Sequence, residues 1–472
     1  MVGGGNGATA SLSSNRESAF WDSARRFGFI GEFSMRFTPC ATRLALTLSL
    51  SAMAFLTACG GKDGGGSSTQ VRLLNATRSY SQLDLSVNDK TVNSKVAYAS
   101  AGEYASVDTS TTATRVLTSD VGTSVSATTP TLTADTNYTY ITYGFAGAIR
   151  TTLLQEGETA PEANKAKLLV LNLAPDAGAL DVYATTAANC DLLNETALTT
   201  NLAGGSGSGY VQLNSGTFRI CVTGYNKRSD LRLNVAGFTL DSASVNTLIL
   251  TASDGGVLVN GISMVQKGAV KNFASTQSRV RTVAAVTGAG SVSSTINGKV
   301  MFNSAISPLV SDYITVDSGA STLVVAVDGV AKSFPAPTLA AGKDTTLLIW
   351  GDKTAPSLSV LDDDNRLPTV VGEVKVRLVN ALNVSGAGLN VSFGSVASNV
   401  AAGSASGFGT ASSSTTGVQV DLTVPGGTVY SNPALVFPAN SVWTFFAVPT
   451  TSGVTTTSPM AGVTAVPKRE RP

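Results

Sequence analysis

A strand-like segment recurs four times in this sequence, and the recurrence limits what the chain can fold into. It reads Val71-Arg72-Leu73-Leu74-Asn75-Ala76, then Leu168-Leu169-Val170-Leu171-Asn172-Leu173-Ala174. It returns as Val280-Arg281-Thr282-Val283-Ala284-Ala285 and as Val376-Arg377-Leu378-Val379-Asn380-Ala381. A second station follows each opening at residues 104–109, 210–215, 313–318 and 408–413; the first three begin with tyrosine and the last with Phe408. A third station is an extended pair, Thr131-Leu132 leading into Tyr138-Thr139-Tyr140-Ile141. Its counterparts are Thr239-Leu240 before Leu248, Thr338-Leu339 before Thr346, and Leu435-Val436 before Trp443. Three stations repeated in one order mean four homologous modules.

Each module reads as β. Phe218, Ile220 and Val222 alternate with Arg219, Cys221 and Thr223, the period-two pattern of a half-buried strand. Asn214-Ser215-Gly216 and Asp317-Ser318-Gly319 lie between such alternations and read as hairpin turns. Only 13% of residues are charged, too few for long amphipathic surface helices. Short strands with frequent turn signals over about 100 residues fit a two-sheet sandwich. The net charge of +1 offers no basic field for nucleic acid. There is no histidine, which removes the usual general base and the commonest metal ligand.

The second module carries a more specific signature. Leu169-Val170-Leu171-Asn172-Leu173-Ala174-Pro175-Asp176-Ala177-Gly178-Ala179-Leu180-Asp181-Val182-Tyr183, followed by Gly209-Tyr210-Val211-Gln212-Leu213 and Ser215-Gly216-Thr217-Phe218-Arg219-Ile220, resembles the DUF4397 family of bacterial secreted and surface proteins. The other modules keep the outline and lose Pro-Asp-Ala. The resemblance implies a β-sandwich at the cell envelope. It implies no catalytic residue, because that family has no established activity.

The amino-terminal region gives an address. A short positive segment containing Arg36 and Arg43 precedes the apolar residues 44–58, which are too few to span a bilayer but suit a signal-peptide core. The ending Leu56-Thr57-Ala58-Cys59 resembles the lipobox of bacterial lipoproteins. That resemblance implies lipidation of the Cys59 thiol, cleavage before it, and a Gly/Ser tether behind it. Gly60, standing where an aspartate would signal inner-membrane retention, points to the outer membrane. Residues 1–34 precede a complete signal and are expected to be a non-native, disordered extension, with Met35 the true start.

Candidate chemistry is sparse. Cys190 and Cys221 are the pair left after export, and a bridge is expected between them in an oxidising compartment. Cys221, on the outward phase of its strand, is expected away from the core. Asp362 and Asp364 are weak calcium candidates; a solvated acidic connector before Pro368, like Glu156 to Pro161 after module 1, is the better reading. Trp350 and Trp443 could stack on sugar rings, although core positions are commoner. Gly298-Lys299 and Gly342-Lys343 lack the Ser/Thr of a P-loop, and the Gly/Ser run 204–209 lacks a nucleophile-elbow spacing.

The expectation is an all-β chain: a tandem array of four immunoglobulin-like or transthyretin-like β-sandwich modules after a lipoprotein signal peptide. The bounds are 1–34 extension, 35–58 signal, 59–70 lipidated cysteine and tether, 71–164, 165–275, 276–371 and 372–466 modules set in a row, and 467–472 a basic tail. The expected role is non-catalytic and cofactor-free: binding a glycan or protein ligand, adhesion, or spacing, at an outer membrane reached through the lipid, with no nucleic-acid partner. The rival is a histidine-free carbohydrate hydrolase using paired carboxylates.

Overall fold

The computed structural model describes residues 67–450 and 462–471. Residues 1–34, the expected signal peptide at 35–58 and Cys59 lie outside the described residues. What is described is all-β, built from four modules of two main sheets each, module 3 adding a two-stranded ribbon of Gly319–Ala320 with Thr338–Leu339, and with a single short 3-10 turn at Pro175–Ala177.

Module 1 sets the pattern. Its five-stranded sheet centres on Ser68–Asn75, paired in parallel with Asn137–Tyr143 and flanked on its other edge by Ser100–Ala101 and Ala105–Asp108; Arg150–Gln155 closes the sheet. The facing antiparallel sheet runs Lys90–Ala97, Gln82–Val87, Thr114–Thr118, Ser124–Thr128. The same parallel pair recurs as Lys165–Leu173 with Ser244–Ala252, Gln277–Val286 with Asp344–Gly351, and Glu373–Asn380 with Ser441–Pro449. The first and third stations of the sequence repeat are thus neighbours in one sheet.

The opening strands are buried almost throughout because both of their faces are covered. Val71 and Leu73 point into the core of module 1, while Leu74 points out of it. There Leu74 and Ile141 meet Leu169, Leu171 and Leu173 of module 2, so the five-stranded sheets of modules 1 and 2 share an apolar seam. Modules 3 and 4 share a second one, made by Val283, Ala285 and Leu348 with Val379, Ala381 and Phe446. The modules are therefore not a simple row. They dock in sheet-to-sheet pairs, within one compact unit from Gly66 to Pro472.

Asparagine within the apolar run ties sheet to sheet. Asn172 is fully buried, donates from Nδ2 to the carbonyls of Gly178 and Leu202, and accepts from the amide of Ala174. Asn75 and Asn380 repeat all three bonds. Each satisfies backbone groups that water cannot reach.

Three details differ from the sequence reading. Asn214–Gly216 is not a hairpin turn, since Ser206–Asn214 and Gly216–Gly224 belong to different sheets. The chain crosses from one sheet to the other there, at a glycine with φ of 148°. Asp317–Gly319 likewise leaves the sheet of Ile314–Asp317. A corner and a hairpin use the same turn residues; only the partner strands distinguish them. The residues read as a basic tail continue strand Val463–Arg469, and Glu470 beyond it is buried.

The acidic connectors are solvated only in part, and each buries one acid. Glu156 and Asp363 are each 2% exposed. Glu156 receives Arg72 Nη2 at 3.2 Å and the Tyr104 hydroxyl at 2.6 Å, and Arg72 reaches across the seam to the carbonyl of Gly268 at 3.0 Å. Burial and Glu156 both push the Tyr104 hydroxyl up from its ordinary value. In the second seam Arg281 grips Glu470 with two bonds of 2.6 and 2.7 Å, while Arg377 grips Asp363. The aromatic residues of the second station cover these cations: Tyr104 lies 4.5 Å from Arg72, Tyr313 4.5 Å from Arg281, and Phe408 4.8 Å from Arg377.

Candidate functional site

Module 2 departs from its siblings at one place. Modules 1, 3 and 4 link the first two strands of the four-stranded sheet by two residues with positive φ: Asn88-Asp89, Asn297-Gly298 and Ser392-Phe393. Such tight turns match strand twist. In module 2 the corresponding strands, Leu180–Thr185 and Thr199–Leu202, are joined by residues 186–198 instead.

A disulfide holds this long loop down. Cys190 and Cys221 are bridged with Cα atoms 5.9 Å apart, as the sequence implied. Cys221 lies on the outward phase of Gly216–Gly224 and is nevertheless fully buried, contrary to expectation. The reason is the loop itself: Leu192 folds back onto Tyr183 and Cys221, giving the outer face a small core of its own.

Beside that core lies a recess of about 760 Å³, bounded by Asp181, Tyr183, Glu195, Thr200, Asn226 and Arg228 among others. Tyr183 carries the Arg228 guanidinium 5.8 Å above its ring. Arg228 Nη1 in turn donates to the carbonyls of Leu192 and, at 2.7 Å, Leu193, so the arginine ties the loop to the far hairpin. Asp181 accepts the amides of Asn201 and Asn226 at 2.9 and 3.0 Å, one on each oxygen. Glu195 accepts the Thr185 hydroxyl at 2.9 Å, and Asp230 pairs with Arg232 at 2.6 Å. Leu193, 78% exposed, stands on the same loop, and Tyr225, 42% exposed, stands on the hairpin opposite. The wall thus mixes hydroxyls, amides and both signs of charge on positions fixed by backbone bonds.

The other candidates from sequence do not converge here. Asp364 is held by Arg366 at 2.7 Å and Lys375 at 3.1 Å; burial would raise its carboxyl, but these cations hold it down at about 2. A carboxylate already neutralised by two cations is poorly placed to take calcium. Asp362 is exposed and contributes only its carbonyl, to Arg377. Among the described residues no group of three or more Cys, Asp or Glu side chains could hold a metal. Trp350 is part-buried at the seam of modules 3 and 4, so close to Gly403 that a Cβ there would sit 2.1 Å from the indole. Trp443 packs against Phe437 and Phe445 with centroids 5.4 and 6.5 Å away. Both indoles are engaged in packing rather than presented to a sugar.

Sequence reasoning missed the recess and the seam arginines. The signal for the recess was the extra length between Tyr183 and Tyr210. The signal for the seams was a charged Arg72, Arg281 or Arg377 on one phase of an otherwise apolar strand, with an acid at each connector.

Comparison with known proteins agrees with the repeat. The model described as Domain of unknown function (DUF4397) matches residues 69–183 and 278–387. Each match covers an odd-numbered module and enters the next through its opening strands; the first includes the Pro175–Tyr183 stretch. No curated protein matches. Among solved structures, CBMbc (family CBM26) from Eubacterium rectale Amy13K, in complex with maltoheptaose, is similar at 12% identity and a TM-score of 0.15, covering 43% of this chain and 97% of its own. The Bacillus anthracis TIE protein is similar at 10% identity and a TM-score of 0.13, covering 79% and 66%. On its sequence matches, the chain is a DUF4397 domain-containing protein.

Proposed function

We propose that this chain is a non-catalytic, lipid-anchored cell-envelope protein that presents the recess of module 2 as a binding surface. The observation that carries the binding role is the disulfide-pinned loop, which replaces the two-residue turn of the other modules and walls a recess on this sheet. Preorganised walls lower the ordering cost of a weak ligand. Hydroxyl and amide groups with paired charges suit a polyhydroxylated ligand, a glycan, better than an apolar one. Hydrolysis would need two carboxylates free to face the scissile bond. In the recess Asp181 is spent on backbone amides and Asp230 on Arg232, which favours binding.

Anchoring rests on the lipobox ending at Cys59, and outer-membrane placement rests on Gly60. Several acyl chains, at about 0.8 kcal/mol per buried methylene, make a durable anchor. The test is a glycan array probed with residues 67–472, beside the same fragment with Glu195→Ala and Thr200→Ala. Signal on a glycan class that the double variant loses is expected; equal signal from both proteins removes the recess from the role. In cells, Cys59→Ser is expected in the soluble fraction, and a variant that stays lipidated in membranes overturns the anchor.

A further inference from the structure

Module 2 meets module 3 through a glycine-bearing turn. Gly255 donates its amide to the carbonyl of Gly342 at 2.8 Å, and a Cβ on Gly255 would lie 2.9 Å from Asp344 Oδ1. A Cβ on Gly256 would lie 2.5 Å from Arg471 Nη2, so the end of the chain also reaches this turn. The joint is polar. Asp344 is fully buried; its Oδ2 receives Arg279 and Asn365, each at 2.8 Å, while its Oδ1 receives nothing from the protein. Ser253 Oγ, Gln277 Oε1 and Asn365 Oδ1 are also buried without a protein partner, as are Arg471 Nε and Nη2. A buried carboxylate oxygen that receives no donor is costly while ionised and can itself donate once protonated.

We propose that this joint is an acid-strengthened clasp, in which Asp344 takes up one proton and its O–H then donates to a neighbouring acceptor across the module 2–module 3 contact. The charged groups around Asp344 are Arg279 on the neighbouring strand, Asp363 on the next, Arg471 at the chain end, and Tyr313 behind Asn365. Around Arg471 stand Asp176, Asp344, Arg279 and Arg232. Burial, with Asp363 adding to it, raises the Asp344 carboxyl to about 6 against the pull of Arg279 and Asn365. Burial raises Asp176 as well. The sign follows: a carboxyl raised in the folded chain binds protons more readily folded than unfolded. Stability from it therefore grows as pH falls through about 6 and is absent well above it. The chain has no histidine, so no side chain of ordinary acidity titrates between about pH 5 and 7.5 to mask the effect.

The experiment is amide hydrogen exchange on the full chain at pH 7.5 and pH 5, read as protection factors so that intrinsic rates cancel. The Gly255 amide is expected to gain about tenfold in protection at pH 5. The Asn88 amide, bonded to Ala113 in module 1, is expected to stay constant as the control. In Asp344→Asn, whose side-chain amide is a permanent donor, Gly255 is expected to be protected at both pH values. Constant or falling protection of Gly255 in the natural chain overturns the clasp, as does a tenfold gain that survives in Asp344→Asn. If that variant does not fold, the natural chain's two values decide alone.

Discussion

At the scale of single residues, Cys221 shows how a side chain on the solvent phase of a strand becomes interior. Period-two reading places it outward, which is where its bond points; what buries it is Leu192, distant along the chain and adjacent in space. The bridge closes a separation of 31 residues, for which the chain-entropy model gives about 3–4 kcal/mol. Replacing both cysteines by alanine removes that constraint and frees the wall carrying Glu195. The double variant of residues 67–472 is expected to unfold at a lower denaturant midpoint by about that much free energy, and to lose any ligand read at the recess. An unchanged midpoint would mean that Leu192 and Arg228 hold the loop unaided.

At the scale of elements, the sequence repeat was legible because each strand must keep its apolar phase to bury it. Strand identity, the four modules and the disulfide could all be read from that periodicity and from cysteine count. What could not be read was what covers the second face. An apolar run such as Leu168–Leu173 is equally consistent with a buried strand inside one sandwich and with a strand shared by two. The acidic connectors misled for the same reason: Glu156 and Asp363 look solvated until the facing arginine is known. Arg281 makes the consequence measurable. It is fully buried, and its guanidinium is pushed above its ordinary value because Glu470, Tyr313 and Asp363 more than offset the cost of burial. Arg281→Met strands the Glu470 carboxylate in the seam and is expected to cost about 3–5 kcal/mol. Arg281→Met with Glu470→Leu removes both charges and is expected to recover most of the loss, as measured by equilibrium denaturation. A double variant as unstable as the single one would show that shape, not charge, makes the seam.

At the scale of the whole molecule, paired docking sets what the chain presents to its surroundings. Four sandwiches in a flexible row would reach far from a membrane and act as a spacer. Four sandwiches joined by two apolar seams and the Asp176–Leu367 and Gly255–Gly342 bonds form a block, which sacrifices reach for a fixed display of the module 2 recess. The two arrangements differ in solution size. For a compact body of about 400 residues the scaling law gives a radius of gyration of about 21 Å, whereas four beads strung on mobile connectors of the same total length would be much larger. Small-angle scattering of residues 67–472 is expected to return the compact value, with a single-peaked distance distribution. Arg281→Met, by leaving Glu470 unpaired between modules 3 and 4, is expected to broaden that distribution before it unfolds either sandwich, because each module keeps a core distinct from the seam. A natural fragment that already scatters as an extended chain would return the molecule to the spacer role and leave the seams as contacts too weak to set its shape.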